Sequence, residues 1–102
     1  MRTERDSIGE VFLPDDAYYG VQTARAKDNF PMTGRLMHPY MIDSLVEIKK
    51  AAAMANLRAG TLKPEIANAI IRACDEILSG RFRDQFVVDP VQGGAGTSAN
   101  MN

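Results

Sequence analysis

The residues most able to do chemistry stand near the end of the sequence, in the run GGAGTS at residues 93–98. Three glycines permit backbone torsions that bring N–H groups close to a bound anion. We predict that Thr97 or Ser98 caps a helix beginning here, where a hydroxyl can also donate to a ligand oxygen. The pattern indicates a cradle for a carboxylate or a phosphate, although a tight turn followed by a helix cap would give the same spacing.

Motifs for nucleotides and metals are missing from the sequence. No GxGxxG pattern follows a strand, and no lysine follows the last glycine of the loop, so neither the dinucleotide fingerprint nor the phosphate loop fits. His38 is the only histidine, and it has no second metal ligand at useful spacing. We therefore predict no cofactor and no metal ligand, and a surface or capping role for His38.

Two further residues could carry chemistry. Arg25 could hold a carboxylate, although a structural ion pair is the commoner use of a lone arginine. Cys74 is the one cysteine of the chain, and nothing near it in the sequence supplies a base. We interpret Cys74 as a small buried hydrophobe in a reducing compartment.

The elements that must position these residues are predicted to be mainly α-helical. The stretch from Ser7 to Gly20 mixes apolar residues with glycine and proline, which is typical of an irregular arm with short extended pieces. Residues 18–27 could hold a short helical turn, which ends before Pro31 because the residue preceding a proline avoids helical torsions.

Two prolines and two glycines delimit a predicted antiparallel helical hairpin. Pro39 and Pro64 suit the first turn of a helix, and Gly60 and Gly80 suit its end. Each helix carries two adjacent apolar stripes. In the first helix, Ile48 belongs to one stripe and Val46 to the other. One hairpin cannot cover so much apolar surface, so further chain or a partner should cover the rest. The last six residues then predict the start of a third helix.

Composition and charge favour one soluble globular domain. The chain has 102 residues, of which 45% are hydrophobic and 25% charged, with a net charge of −1. It lacks the positive field that binding to nucleic acid or to an anionic membrane requires. The N-terminus has no secretory signal and no segment reaches transmembrane length, so we expect a cytoplasmic protein.

Several blocks of the sequence, in order, resemble the start of the enzymes of the aspartase and fumarase superfamily. The blocks are DAYYGVQT at 16–23, NFP at 29–31, KKAAAMAN at 49–56, DQF at 84–86 and GGAGTSANMN at 93–102. The resemblance runs nearly from end to end. Class II fumarases carry a loop like GSGTQSNMN, with serine at the position of Ala95 and glutamine at that of Ser98. The loop of this chain is similar to the aspartase form.

The resemblance implies a homotetramer built around long helices, with each active site drawing loops from three subunits. It implies a lyase that reversibly eliminates ammonia from L-aspartate to give fumarate, without a cofactor. By match, Thr97 contacts a substrate carboxylate, Gly96 and Ala95 shape its approach, and Ser98 is adjacent. The family's catalytic serine loop lies outside this chain, so no residue here is assigned as acid or base.

We therefore expect residues 1–102 to be the N-terminal domain of a larger aspartase-like enzyme, lacking the central helical-bundle and C-terminal domains. This piece should be inactive alone, and its uncovered helix faces should make it self-associate. Two alternatives remain open at this stage: the N-terminal domain of a class II fumarase, or a non-enzymatic helical interaction module.

Overall fold

The computed structural model describes all 102 residues, which form two compact units. One unit comprises residues 1–38 and 84–102, and the other comprises residues 39–83. The predicted class is confirmed, because helices dominate and the only sheet has two strands. No helix has both the length and the apolar character needed to cross a bilayer.

The first unit begins with a β-hairpin made of β1 (Arg2–Arg5) and β2 (Glu10–Leu13), paired antiparallel with Arg2 opposite Leu13. The predicted extended pieces are thus two paired strands. The sequence did not predict β1, because Arg-Thr-Glu-Arg has no apolar alternation. β1 is held in place by its pairing with β2 and by the Arg2 guanidinium. This group donates to the carbonyls of Pro14, Asp15 and Tyr19 at 3.0–3.2 Å.

Helix α1 spans Val21–Asn29 and is longer than the short turn predicted for this stretch. It ends before Pro31, as expected. Thr23 is its most buried residue, and the Thr23 hydroxyl donates to the Met101 carbonyl at 3.4 Å. This contact ties α1 to the end of the chain within the same unit.

The second unit is the predicted helical hairpin, formed by α2 (Pro39–Arg58) and α3 (Pro64–Leu78). Both helices begin at proline, and Gly60 (φ +77°) and Gly80 (φ +102°) follow their ends in the left-handed region. Lys50, in the middle of α2, pairs with Asp75 near the end of α3 at 2.6 Å. Asp43, near the start of α2, pairs with Arg83 beyond α3, also at 2.6 Å. The helices therefore run antiparallel.

Each helix of the hairpin buries one of its two predicted apolar stripes and exposes the other. The buried residues are Ile42, Val46 and Ala53 in α2 and Ala67 and Cys74 in α3. The exposed large residues include Met41, Ile48, Met54, Ile66 and Ile70. The expectation that this surface exceeds what one hairpin can cover is confirmed.

Residues 93–96, the glycine loop, lead into α4 (Thr97–Met101), where a third helix was predicted to start. The prediction that Thr97 or Ser98 caps this helix is wrong. Gly96 occupies the cap position with φ +75°, and no side chain of that residue can cap. The loop reaches the helix through a left-handed residue, which only glycine adopts without strain, so the hydroxyl residues fall inside the first turn.

Candidate functional site

An open cleft of about 200 Å³ lies between α1, α4 and the turn of the β-hairpin, all within the first unit. Its α1 wall consists of residues at helical spacing on one face of that helix. Ile8 of the hairpin turn and Phe30, which follows α1, also line the cleft. The lining residues are Ile8, Gln22, Arg25, Ala26, Asn29, Phe30, Thr97, Ser98 and Met101.

The α4 wall presents hydrogen-bond donors to the cleft. Thr97 is exposed and Ser98 is half-buried. Neither hydroxyl has a hydrogen-bond partner within the chain, and neither do the backbone N–H groups of these two residues. Unpaired donors beside an open cleft are the kind of groups that bind a carboxylate or phosphate oxygen.

Arg25 is held in the cleft wall by a bidentate ion pair with Asp6. Its Nε donates to Asp6 Oδ2 at 2.8 Å and its Nη2 donates to Asp6 Oδ1 at 3.0 Å. Nη2 also donates to the Gly9 carbonyl at 3.3 Å. Three of the five N–H groups of a guanidinium are thereby used, which leaves those of Nη1 for a ligand.

The Asp6 carboxylate, at the turn of the β-hairpin, accepts five hydrogen bonds. It accepts from the backbone N–H groups of Ile8 and Gly9, from Gln22 and from two nitrogens of Arg25. The pKa of the Asp6 carboxyl is lowered, chiefly by the hydrogen bond from Arg25 and against the opposing effect of burial. The same bond raises the pKa of Arg25. The pair is therefore fully ionised and nearly neutral in net charge.

Two amide side chains fix the segment that carries the glycine loop. Asn102 accepts from the N–H groups of Val87 and Val88 and donates to the Gln85 carbonyl at 3.0 Å. Gln92 accepts from the Ala99 N–H at 2.8 Å and donates to the Asp89 carbonyl at 3.0 Å. Both ends of the loop are thus held by side chains.

The side chain of Asp89 also holds this segment in place. Its side chain accepts from Val91 N–H and, at 2.8–3.1 Å, from the N–H and hydroxyl of Thr33 and the N–H of Gly34. Burial by itself raises the pKa of the Asp89 carboxyl, but these bonds outweigh it and the pKa is lowered. Oδ2 accepts three of these bonds and Oδ1 accepts one, so this buried carboxylate holds the local backbone together.

Three of the five predicted substrate-binding residues come together. Arg25, Thr97 and Ser98 line one cleft, whereas Ala95 and Gly96 belong to the loop that leads into α4 without lining the cleft. No group of three or more His, Cys, Asp or Glu side chains is placed to hold a metal ion. His38 is exposed and Cys74 is buried.

Reasoning from the sequence missed Asp6, Gln22, Asn29 and Gln92. Gln22, Arg25 and Asn29 recur at the spacing of one helix face, and that polar stripe was a usable signal. The Asp-x-x-Gly pattern that begins at Asp6 is typical of a turn in which the aspartate accepts from the following amides. Nothing local in the sequence indicates that Gln92 reaches Ala99.

Comparison with known proteins gives consistent matches over almost the whole chain. The family model described as lyase matches residues 9–102. An aspartate ammonia-lyase from a Bacillus species is 55% identical over 102 residues, which is all of this chain and 22% of that protein. A class II fumarate hydratase from Halobacterium salinarum is 50% identical over 101 residues, or 99% of this chain and 22% of that protein.

A solved structure agrees with the fold. The structure described as fumarate lyase:delta crystallin from Brucella melitensis matches 99% of this chain and 23% of its own, with a TM-score of 0.94 and 47% identity. The chain spans about a fifth of the length of these relatives. The family match over 94 of the 102 residues, together with these relatives, means that the chain belongs to the lyase family of the aspartase and fumarase superfamily.

Proposed function

We propose that this chain is the N-terminal domain of an aspartate ammonia-lyase, an enzyme that converts L-aspartate to fumarate and ammonia. The observation that carries the proposal is the 55% identity with an aspartate ammonia-lyase along the entire chain. The GGAGTSANMN loop supports the aspartase branch, because it has Ala95 where the resemblance to fumarases would require serine.

In this proposal, the cleft binds one carboxylate of the substrate. The Thr97 hydroxyl donates to a carboxylate oxygen, and Ser98 and the backbone N–H groups beside it add donors. Arg25 faces the same ligand through the nitrogen that Asp6 leaves unused, and Ala95 and Gly96 give the loop its path. These donors bind and orient the substrate carboxylate so that the neighbouring carbon is presented to the group that removes its proton.

The group that removes the proton is proposed to lie outside this chain, on a loop contributed by the rest of the enzyme. The intact enzyme is proposed to be a cytoplasmic homotetramer in which several subunits complete each site. The 102-residue chain alone should therefore have no lyase activity and should self-associate.

A class II fumarase is the second candidate, and the 50% identity with the Halobacterium fumarate hydratase favours it. The two candidates share fumarate and differ in the group that is eliminated, ammonia or water. The family match favours both over a helical interaction module without activity.

The test follows fumarate absorbance with protein expressed from the complete gene. L-aspartate should give a rising signal and stoichiometric ammonia. Turnover of malate with no reaction of aspartate would assign the enzyme to the fumarases, and no turnover of either would refute both assignments. The 102-residue chain serves as a parallel sample, from which ammonia release would contradict the proposed division of the site.

A further inference from the structure

The glycine loop has few contacts of its own to fix its shape. A β-carbon added at Gly93, Gly94 or Gly96 would meet nothing within 4 Å, so the loop is not wedged between other residues. Its one internal backbone bond runs from Gly96 N–H to the Gly93 carbonyl at 3.0 Å. Some other group must hold the loop where Thr97 and Ser98 line the cleft.

Gln92 is placed to do this. Its Oε1 accepts from the Ala99 N–H at 2.8 Å, beyond the far end of the loop. Its Nε2 donates to the Asp89 carbonyl at 3.0 Å, on the near side. The backbone around Asp89 is itself fixed, because the buried Asp89 carboxylate accepts from four donors. One carboxamide therefore connects a rigid anchor to the first turn of α4.

The hydrogen bond from the Ala99 N–H to Gln92 also determines which N–H groups of the first turn of α4 remain available to a ligand. The Ala99 N–H is taken, and the Asn100 N–H is bonded to the Gly96 carbonyl at 3.1 Å. Only the N–H groups of Thr97 and Ser98 are left for a ligand. Gln92 thus sets both the position of the loop and the set of donors that it offers.

We propose that Gln92 is a positioning residue of the carboxylate-binding loop, which it orients without touching the substrate. The inference rests on the proposed function, since it assigns Gln92 to the same cleft. A carboxylate is bound in the ground state as well as in the transition state, so a displaced loop raises KM more than it lowers kcat.

The first test uses the intact enzyme with Gln92→Met, which keeps the length of the side chain and removes both hydrogen bonds. We expect KM for L-aspartate to rise roughly fivefold, the factor that corresponds to one neutral hydrogen bond, with kcat changed less than about twofold. The matched control is Gln85→Met. The side chain of Gln85 accepts from the Tyr18 N–H at a distance of 2.7 Å and makes no hydrogen bond to the glycine loop. The control should keep the KM of the wild type.

The second test uses Gln92→Glu, which keeps the acceptor for the Ala99 N–H and loses the donor while it is ionised. Calorimetric titration with fumarate should give weaker binding than the wild type near about pH 8. Affinity should return towards the wild-type value as the pH falls to about 5, where the carboxyl begins to take up a proton and can donate to the Asp89 carbonyl. Repulsion between the added charge and fumarate is separated by Val91→Glu, which places a carboxylate at the exposed neighbouring residue and keeps Gln92; near about pH 8 it should bind fumarate more tightly than Gln92→Glu.

Three outcomes overturn the inference: a wild-type KM in Gln92→Met, an equal rise in Gln85→Met, or no recovery of affinity in Gln92→Glu at low pH. If Gln92→Met does not fold, the fumarate titration of Gln92→Glu tests the inference in its place. If the wild type does not act on aspartate, the proposed function fails, while titration with fumarate still tests Gln92 independently.

Discussion

Among single residues, Thr97 has the simplest relation between structure and proposed role. Its hydroxyl is unpaired, exposed and beside the cleft, so it contributes nothing visible to the fold. The cap position that would have explained this hydroxyl structurally is occupied by Gly96 instead. Thr97 can therefore be changed with little effect on stability.

We expect Thr97→Val in the intact enzyme to weaken transition-state binding by about 1.5–3 kcal/mol, the value of a hydrogen bond to a charged group. This corresponds to a fall in kcat/KM of roughly tenfold to a hundredfold or slightly more. Steady-state kinetics give the fall, and thermal unfolding should show a Tm close to that of the wild type. Unchanged kinetics would mean that Thr97 does not contact the substrate.

Asp6 and Arg25 form a pair whose contribution to stability depends on pH. The pKa of Asp6 is lowered in the folded chain, so its contribution is fully present above the unfolded value near about 4 and is lost as the pH falls through the folded value. We expect Asp6→Asn to be less stable than the wild type at neutral pH. The difference should shrink as the pH falls below about 4.

Urea midpoints of the 102-residue chain, measured against pH, test this expectation. Asp15→Asn is the matched control, because Asp15 pairs with the N-terminal amine in an ion pair that is about three-quarters exposed. Exposed pairs contribute little, so this variant should follow the wild type at every pH. A difference for Asp6→Asn that stays constant from neutral to acid pH would contradict the role assigned to its charge.

At the scale of elements, α4 depends on the conformation of the residue before it. Gly96 has φ +75°, a region that costs an L-residue about 1–2 kcal/mol. Gly93 is not in that region, and a β-carbon there would meet nothing within 4 Å. The two glycines of one loop therefore have different requirements.

We expect Gly96→Ala to lower the free energy of unfolding by about 1 kcal/mol, whereas Gly93→Ala should stay within about 0.5 kcal/mol of the wild type. Denaturant titration of both variants measures the difference. Equal effects of the two substitutions would show that the left-handed turn is not maintained in solution.

Most of the elements could be predicted from the sequence, because local rules govern them. Pro39, Pro64, Gly60 and Gly80 mark the ends of α2 and α3, and the apolar stripes give their faces. β1 could not be predicted, because its four polar residues form a strand only through pairing with β2. The cap of α4 was misassigned because residue type cannot show that Gly96 adopts the left-handed conformation.

The candidate site was predictable in its residue types and not in its arrangement. The glycine loop and Thr97 are typical of an anion-binding loop, although a tight turn followed by a helix cap has the same residue pattern. That Arg25 and Thr97 line one cleft depends on long-range contacts such as the one between Thr23 and Met101, which are 78 positions apart. Gln92 was missed because no local pattern indicates that its side chain reaches Ala99, and Asp6 because its pairing with Arg25, 19 positions away, is set by the fold.

For the molecule as a whole, the main feature is the apolar stripe that the helical hairpin leaves exposed. Ile48 is 63% exposed and Ile66 is 48% exposed, on helices whose other stripe is buried. Monomeric proteins rarely leave large apolar surfaces exposed to water. The isolated chain should therefore bury this stripe against a second copy.

We expect sedimentation velocity of the 102-residue chain to show an average mass that rises with concentration. Ile48→Ser combined with Ile66→Ser should shift the profile towards the monomer, because both substitutions remove exposed apolar surface. Glu47→Ser, at an exposed polar position of α2, is the control and should not. A single monomeric species for the wild type at all concentrations would refute the expectation.

The burial of Cys74 has a practical consequence for spectroscopy on this protein. Cys74 is 6% exposed, and burial raises the pKa of its thiol, so little of it is the reactive thiolate at neutral pH. A fluorophore or spin label can therefore be attached through maleimide to a cysteine introduced on the surface, with the native thiol left in place. Motions of the glycine loop could then be followed in a chain whose own sequence differs at one position only.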